Sequence, residues 1–349
     1  MKPDFTRKLL EWHSADNNRS MPWKGENDPY RIWLSEIILQ QTRVEQGVSY
    51  YQKFISAYPT VLHLASAPEQ EIFKMWEGLG YYSRCRNLIA TAKFIKEYYN
   101  GVFPSTYNEI LSLTGVGPYT AAAISSFAFN LPHAVVDGNV HRVLARYFGI
   151  STPIDSKEGK RLFNDLATAL LDTDSPATYN QAIMDFGATV CRPRAPLCSA
   201  CVQNSDCEAY LNGYTSILPV KEKVLKTTSR WMYYFVLQHH DSVYIRKRST
   251  KDIWQNLHEF VLHESAQEIE DAATSVLPEL IQQQTYLVSH ISSTIKQRLT
   301  HQRIHGQFFI VNLQQPASLP EEYMLVKKIN LNGYAFPRII NEFLEANPL

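Results

Sequence analysis

Four of the five cysteines lie between Cys191 and Cys207, with six, two and five residues between successive members. Loops this short keep four thiols in one neighbourhood whatever surrounds them, so this stretch constrains the fold more tightly than any single helix or strand pattern. Soft thiolates at such spacing suit tetrahedral iron with sulfide, or zinc, because soft ligands select soft metals and each metal corner needs one sulfur. The lone Cys-x-x-Cys, Cys198 with Cys201, decides little, since zinc ribbons pair two such elements across a longer gap. A four-iron, four-sulfide cluster on Cys191, Cys198, Cys201 and Cys207 is the favoured expectation; zinc, and unligated or disulfide-bonded thiols, are the other readings. Cys85 stands apart and reads as a small buried residue without chemistry.

At 349 residues the chain is long enough for two domains with their own cores. Lys plus Arg balance Asp plus Glu at 34 each. Binding to nucleic acid therefore has to rest on local patches or backbone donors, not on overall basicity. The start, MKPDFTRKLL, carries no apolar signal core, and no run of about 18 apolar residues occurs. The expectation is a soluble intracellular protein with no membrane partner, in a compartment where thiolates stay free to ligate metal.

Helical periodicity dominates to about residue 212, in DPYRIWLSEIILQQTRVEQGVSYYQKFI, PEQEIFKMWEGLG, RCRNLIATAKFIKEYY, TYNEILSL, PYTAAAISSFAF and GNVHRVLARYFG. The stretch ILPVKEKVLKTTSR has no clear period and reads as a linker. Beyond it, WMYYFVLQ, SVYIRKR and QFFIVNL read as strands, while SAQEIEDAATSVL and PRIINEFLEA read as helices, giving a small α+β domain. The expected boundaries are a helical domain over 1–213, a linker over 214–229 and a second domain over 230–349.

Asp28 and Pro29 suit a helix start, and Glu36 falls within that helix beside Ile32, Trp33, Leu39 and Gln40. Desolvation on so apolar a face raises a carboxyl pKa, and a carboxylic acid kept protonated near neutrality is a general acid. The alternative for Glu36 is an ordinary solvated side chain. In LTGVGPYTAAA, Gly115 and Gly117 permit positive φ in a tight hairpin, Pro118 starts the next helix, and exposed N–H groups there form an anion nest suited to a DNA phosphate. Taken alone, such a turn is as readily a plain connection. Asp137, about twenty residues on in VVDGNVHRV, reads by itself as a helix N-cap.

An acid on the first long helix, a helix-hairpin-helix, an Asp beyond it and a cysteine cluster, in that order, resemble the helix-hairpin-helix DNA glycosylases with an iron-sulfur loop. Within them the chain resembles the MutY adenine DNA glycosylases. WLSEIILQQT is similar to the stretch that carries that family's catalytic Glu, GLGYYSR to its lesion-probing loop, and NQAIMDFGATVC to its lead into the cysteines. Tyr119 stands where endonuclease III enzymes have a Schiff-base Lys, and a phenol cannot form an imine. The second domain lacks the Glu-rich pyrophosphatase motif of Nudix hydrolases, yet IWQNLHEF and AFPRIINEFL resemble the Nudix-like C-terminal domain of MutY. The fold implied is an all-α glycosylase domain with an iron-sulfur loop plus an α+β Nudix-like domain.

The resemblance implies a monomeric, cytoplasmic, nucleoid-associated enzyme of base excision repair, with weak or no lyase activity. Its partner would be double-stranded DNA with adenine opposite 8-oxoguanine. Base chemistry in a duplex requires the nucleotide to be extruded. The resemblance puts Gln41, Leu79 and Tyr81 at the base stack, Gly115 and Gly117 at the backbone, and Trp23 and Gln181 in the adenine pocket. Glu36 would protonate adenine N7, Asp137 would stabilise or trap the oxocarbenium-like sugar, and Tyr119 and Asn139 would position groups around it. Arg192 and Arg194 would contact phosphate. Leu299, Thr300 and His301 stand where MutY has the Phe-Ser-His element that reads 8-oxoguanine; the aromatic is missing, so contact would fall to Thr300 and His301. Lys24 replaces an Arg of many relatives, exchanging a planar fork for a point charge. An endonuclease III-like glycosylase with lyase activity and a non-catalytic iron-sulfur DNA-binding protein are the alternatives.

Overall fold

The computed structural model describes residues 4–222, 227–281 and 285–349. These form two compact units, Met1–Ser66 with Asn87–Lys223, and Ala67–Arg86 with Val224–Leu349. Residues 223–226 of the expected linker lie outside the described residues, and the first strand of the second unit begins at Thr228, two residues inside that linker.

Among the described residues twelve α-helices come first: α1 (Asp4–Ala15), α2 (Pro29–Leu39), α3 (Val44–Ala57), α4 (Val61–Ser66), α5 (Glu69–Trp76), α6 (Tyr82–Tyr98), α7 (Tyr107–Ser112), α8 (Pro118–Phe129), α9 (Gly138–Phe148), α10 (Lys157–Leu170), α11 (Pro176–Thr189) and α12 (Glu208–Leu211). Their starts follow local chemistry. Asp28 accepts from the Tyr30 N–H at 2.9 Å ahead of Pro29, and Thr106 with Glu109 forms a capping box on α7. The helical run expected from residue 28 into α3 is broken between Gln40 and Arg43, with Gln41 at φ +57. The cause is burial: α2 hides Ile32, Trp33, Leu34, Ile37 and Ile38 around most of its circumference, whereas α3 buries only one stripe through Gly47, Tyr51 and Phe54. One straight helix would have left much of the α2 surface in water. Instead α3 folds back so closely that a Cβ on Gly47 would meet Leu39 at 2.7 Å. Phe5, Leu9, Trp12, Leu144, Phe163, Tyr179 and Phe186 knit α1, α9, α10 and α11 into one core.

The second unit is built on an eight-stranded mixed sheet: β1 (Thr228–His239), β2 (Ser242–Lys247), β3 (His258–Glu259), β4 (Val261–Ser265), β5 (Tyr286–Ile291), β6 (Ile295–Arg298), β7 (Gln302–Leu313) and β8 (Tyr323–Lys327). β1 and β7 run parallel at its centre, with Phe235 opposite Phe309. Tyr233, Phe235, Leu237, Phe309 and Val311 line one face over α13 (Ala272–Ser275) and α14 (Leu277–Leu280). On the other, Phe308 stacks on Phe343 of α15 (Arg338–Ala346) at 4.2 Å between ring centroids. The single helix expected over SAQEIEDAATSVL is two short turns, because β4 runs to Ser265 and Asp271 turns its side chain onto the Thr274 N–H at 3.2 Å, a cap and not an interior position. No helix among the described residues is long and apolar enough to cross a membrane.

Candidate active site

A cavity of about 820 Å³ in the first unit gathers Trp23, Glu36, Gln41, Tyr119, Asp137, Asn139 and Gln181 on its walls. Seven expected site residues, spread over some 160 positions, thus share one space. α2 supplies Glu36, α8 Tyr119, the start of α9 Asp137 and Asn139, and α11 Gln181.

Glu36 is 8% exposed, and burial pushes its carboxyl up to about 7. A hydrogen bond with Tyr119 works against that rise and the negative charge of Asp137 adds to it. Burial also pushes the Tyr119 phenol well above its usual range; the hydroxyl donates to the Met184 sulfur at 3.6 Å.

Asp137 is the N-cap of α9. Its Oδ1 accepts from the N–H groups of Asn139 and Val140, both at 2.8 Å, and its Oδ2 from the Asn139 Nδ2 at 2.7 Å. The reading of Asp137 as a cap and its reading as an anion facing a substrate are one geometry, since a helix N-terminus favours negative charge. The segment leading to it is held by Asn180, which donates to the His133 carbonyl at 2.8 Å and accepts from the Val135 N–H at 3.1 Å.

The hairpin between α7 and α8 is pinned by Thr91, whose hydroxyl donates to the Thr114 carbonyl at 2.8 Å. Gly115 has φ +79, and a Cβ there would strike Asn87 at 2.6 Å. Gly117 departs from expectation: its φ is −95, so the turn does not need its left-handed freedom. A Cβ on Gly117 would meet nothing within 4 Å. Its bareness leaves the α8 N-terminus open instead.

Several residues here were not singled out by sequence reasoning. Asp185, wholly buried, accepts from Asn17 and Arg19 at 2.8 Å each and pairs with Lys24 at 3.1 Å, tying the strap that carries Trp23 to α11. Its spacing four residues after Gln181 was the available signal. On α9, Arg142 donates to the carbonyls of Cys191 at 2.7 Å and Gly187 and to the Asn139 side chain at 2.8 Å. One turn on, Arg146 donates to the Arg192 carbonyl at 2.8 Å and reaches the Cys191 sulfur at 3.5 Å. The helix that begins at the Asp137 cap therefore also clamps the cysteine loop.

All four clustered cysteines are free thiols and line one cavity of about 30 Å³. Among the described residues no three His, Cys, Asp or Glu side chains converge on a single-ion site. Arg192 donates to the Ala195 carbonyl at 2.9 Å.

The remaining expected residues belong to the second unit. Three of the four residues of the loop 78–81 have positive φ, Gly78 at +93, Gly80 at +74 and Tyr81 at +46, and the loop is braced by Trp76 Nε1 donating to the Gly80 carbonyl at 3.1 Å. This holds Tyr81 out at 45% exposure. Leu79 does not share that position: it is 6% exposed, packed inward, and is no outward wedge. Thr300 and His301 sit exposed in the turn between β6 and β7, and the Tyr81 and Thr300 hydroxyls meet at 2.6 Å.

Comparison with known proteins first places the chain in a class. Residues 34–168 match the HhH-GPD superfamily of base excision DNA repair proteins, and residues 232–346 match the NUDIX domain. The solved structure of a thermostable thymine-DNA glycosylase superposes with a TM-score of 0.56 at 32% identity, over 60% of this chain and 96% of that one. The adenine DNA glycosylase of Buchnera aphidicola subsp. Baizongia pistaciae is 37% identical over 254 residues, 72% of each chain. That of Mus musculus is 41% identical over 228 residues, 62% of this chain and 44% of its own. The chain belongs to the adenine DNA glycosylase family.

Proposed function

We propose that this protein removes adenine paired with 8-oxoguanine, and with guanine, by hydrolysing the N-glycosidic bond in base excision repair. Membership of the family makes it a DNA N-glycosylase, a hydrolase of glycosyl bonds. The observation that carries the reading is one cavity lined by both a buried carboxyl with a pKa near 7 and the helix-capping Asp137. With adenine extruded between Trp23 and Gln181, Glu36 donates its proton to N7, the C1′–N9 bond breaks with its electron pair going to the base, and a neutral purine leaves. Asp137 stabilises or traps the oxocarbenium-like sugar until water adds at C1′, with Tyr119 and Asn139 positioning groups around the ribose. The acid form of Glu36 is depleted above its pKa, so excision falls as pH rises through about 7.

The four cysteines line one small cavity, and soft sulfur ligands of that number suit the four iron corners of a four-iron cluster. Cys191, Cys198, Cys201 and Cys207 would hold it, and its contribution is to fix the loop that bears Arg192 and Arg194. In the second unit, Tyr81, hydrogen-bonded to Thr300, is the residue for the base stack, and Thr300 and His301 are those for reading the oxidised guanine. The segments 1–213 and 230–349 serve as catalytic and recognition domains, and the protein acts as a monomer on intracellular DNA.

Single-turnover excision on duplexes with adenine opposite 8-oxoguanine, guanine or thymine, followed by alkali, tests this. Release is expected opposite 8-oxoguanine first and guanine second. Efficient borohydride cross-linking to an abasic duplex would instead favour an endonuclease III-like lyase, against the phenol at position 119.

A further inference from the structure

A second cavity, of about 610 Å³, shares the Tyr119 wall with the first. It differs in charge. The catalytic cavity mixes Glu26, Glu36 and Asp137 with Arg19 and Lys24, whereas the second is lined by His133, His141, Lys160 and Arg161 with no carboxylate among its walls. Lys160 and Arg161 lie exposed on α10 and take no ion-pair partner among the described residues. In a chain whose formal charge is zero, two unopposed cations around a concave surface mark a place for an anion. Burial holds both imidazoles below their ordinary range, so near neutral pH the positive charge is that of Lys160 and Arg161.

The cavity also offers a flat surface. Tyr107 and His133 stack at 4.2 Å between centroids and 19° between planes. His133 is fixed there because its carbonyl accepts from the buried Asn180 amide at 2.8 Å. Cations beside a rigid aromatic pair, in a hollow, are the components of a site for one nucleotide of single-stranded character: a phosphodiester on the cations and a base or sugar against the rings.

We propose that this second cavity binds the nucleotide adjoining the extruded adenine on the same strand, with Lys160 and Arg161 on its phosphate and the Tyr107–His133 pair against its sugar or base. The proposal rests on the reading of the first cavity as the base pocket. A strand that sends one nucleotide past Tyr119 continues on the other side of that ring, and there the cations wait. Lys160 and Arg161 thereby hold the strand in the extruded form and give no base identity.

The test uses the full-length protein and a duplex with adenine opposite 8-oxoguanine, the binding read as a function of salt. Lys160→Ala with Arg161→Ala should weaken the Kd by about tenfold or more and reduce the slope of log K against log salt by about 0.9, the value for one lost phosphate. Lys157→Ala, on the same helix but outside the cavity, should change neither. Neutral methylphosphonates placed one at a time beside the adenine should cost the unsubstituted protein affinity at one position, and the double variant should be insensitive there. Equal Kd and slope for the double variant, or a methylphosphonate profile identical to that of the parent, overturns the proposal. Failure of the unsubstituted protein to bind or excise would sink the adenine reading instead, so the two failures are told apart.

Discussion

Two buried glutamates, one in each unit, meet opposite surroundings. Glu36 is 8% exposed with a phenol and an Asp for neighbours and, among the described residues, no ion-pair partner, and its carboxyl is pushed up to about 7. Glu259 is 1% exposed and gripped by Arg246 at 3.0 Å and by Arg248, in a cleft where Arg230, Asp252 and Glu264 continue the alternation of charge. The same side chain is reactive in one place and structural in the other, and the difference lies in its partners. Isolated burial stores a proton at a useful pKa; paired burial fixes a fold. In the Nudix-like unit Asp252, Glu259 and Glu264 are neutralised by arginine, whereas Glu36 of the helical unit is left able to hold a proton.

The largest effect that sharpens this contrast is on excision. Glu36→Gln keeps the shape of the side chain and removes the acid, so the single-turnover rate should fall by roughly 10² to 10⁴ while mispair binding persists. A variant as active as the parent would end the general-acid assignment. Glu259→Gln makes the complementary experiment. It leaves Arg246 and Arg248 short of a buried carboxylate, and the second unit should lose about 3 to 5 kcal/mol of stability in urea unfolding. Unchanged stability would show that the cleft is held by packing alone.

Linkage gives the next effect. Glu36 binds its proton more tightly folded, near pH 7, than at its ordinary value of 4.5. Between those values the folded state holds more protons than the unfolded one, so stability falls as pH rises through the window and is level above it. The shift corresponds to about 3 kcal/mol. Glu36→Gln should therefore be more stable than the parent by up to about that amount at pH 8, with the gap closing by pH 4. A constant difference across pH would mean that Glu36 is not titrating in a buried state.

Much of this site was legible in sequence because its parts are local. Asp28–Pro29 announces α2, and the apolar residues around Glu36 announce its burial; Gly115 and Pro118 bound the hairpin. What escaped depends on approach in space. No pattern in the helical stretch around Gln41 shows that α3 must fold back over α2 at Gly47, and Leu79, flanked by two glycines in a loop, reads as exposed until the bracing by Trp76 is known. The Asp185 tether and the Arg142 clamp link segments far apart in sequence: helical spacing puts Asp185 on the face of Gln181 but does not reveal its partners.

That clamp supplies a smaller effect. Arg142 joins the Asn139 side chain to the carbonyls of Gly187 and Cys191 through a planar fork. Lysine keeps the charge and loses the fork. Arg142→Lys should slow excision by about tenfold, equivalent to about 1.4 kcal/mol, through displacement of Asn139 and the Asp137 cap. Unaltered single-turnover kinetics would separate the cysteine loop from the catalytic helix.

The smallest effect belongs to the second unit. Tyr81 and Thr300 come from segments more than two hundred positions apart yet meet hydroxyl to hydroxyl at 2.6 Å, on an exposed tip where water competes for both. A neutral hydrogen bond there is worth about 1 kcal/mol, so Thr300→Val should lower the preference for adenine opposite 8-oxoguanine over adenine opposite guanine by roughly fivefold. Tyr81→Phe should do the same, and because each removes the same contact, the pair together should cost little more than either alone. The ratio of kcat/KM on the two duplexes decides it. Additive losses would show that the two hydroxyls contact DNA separately, and no loss would move the reading of 8-oxoguanine away from this turn.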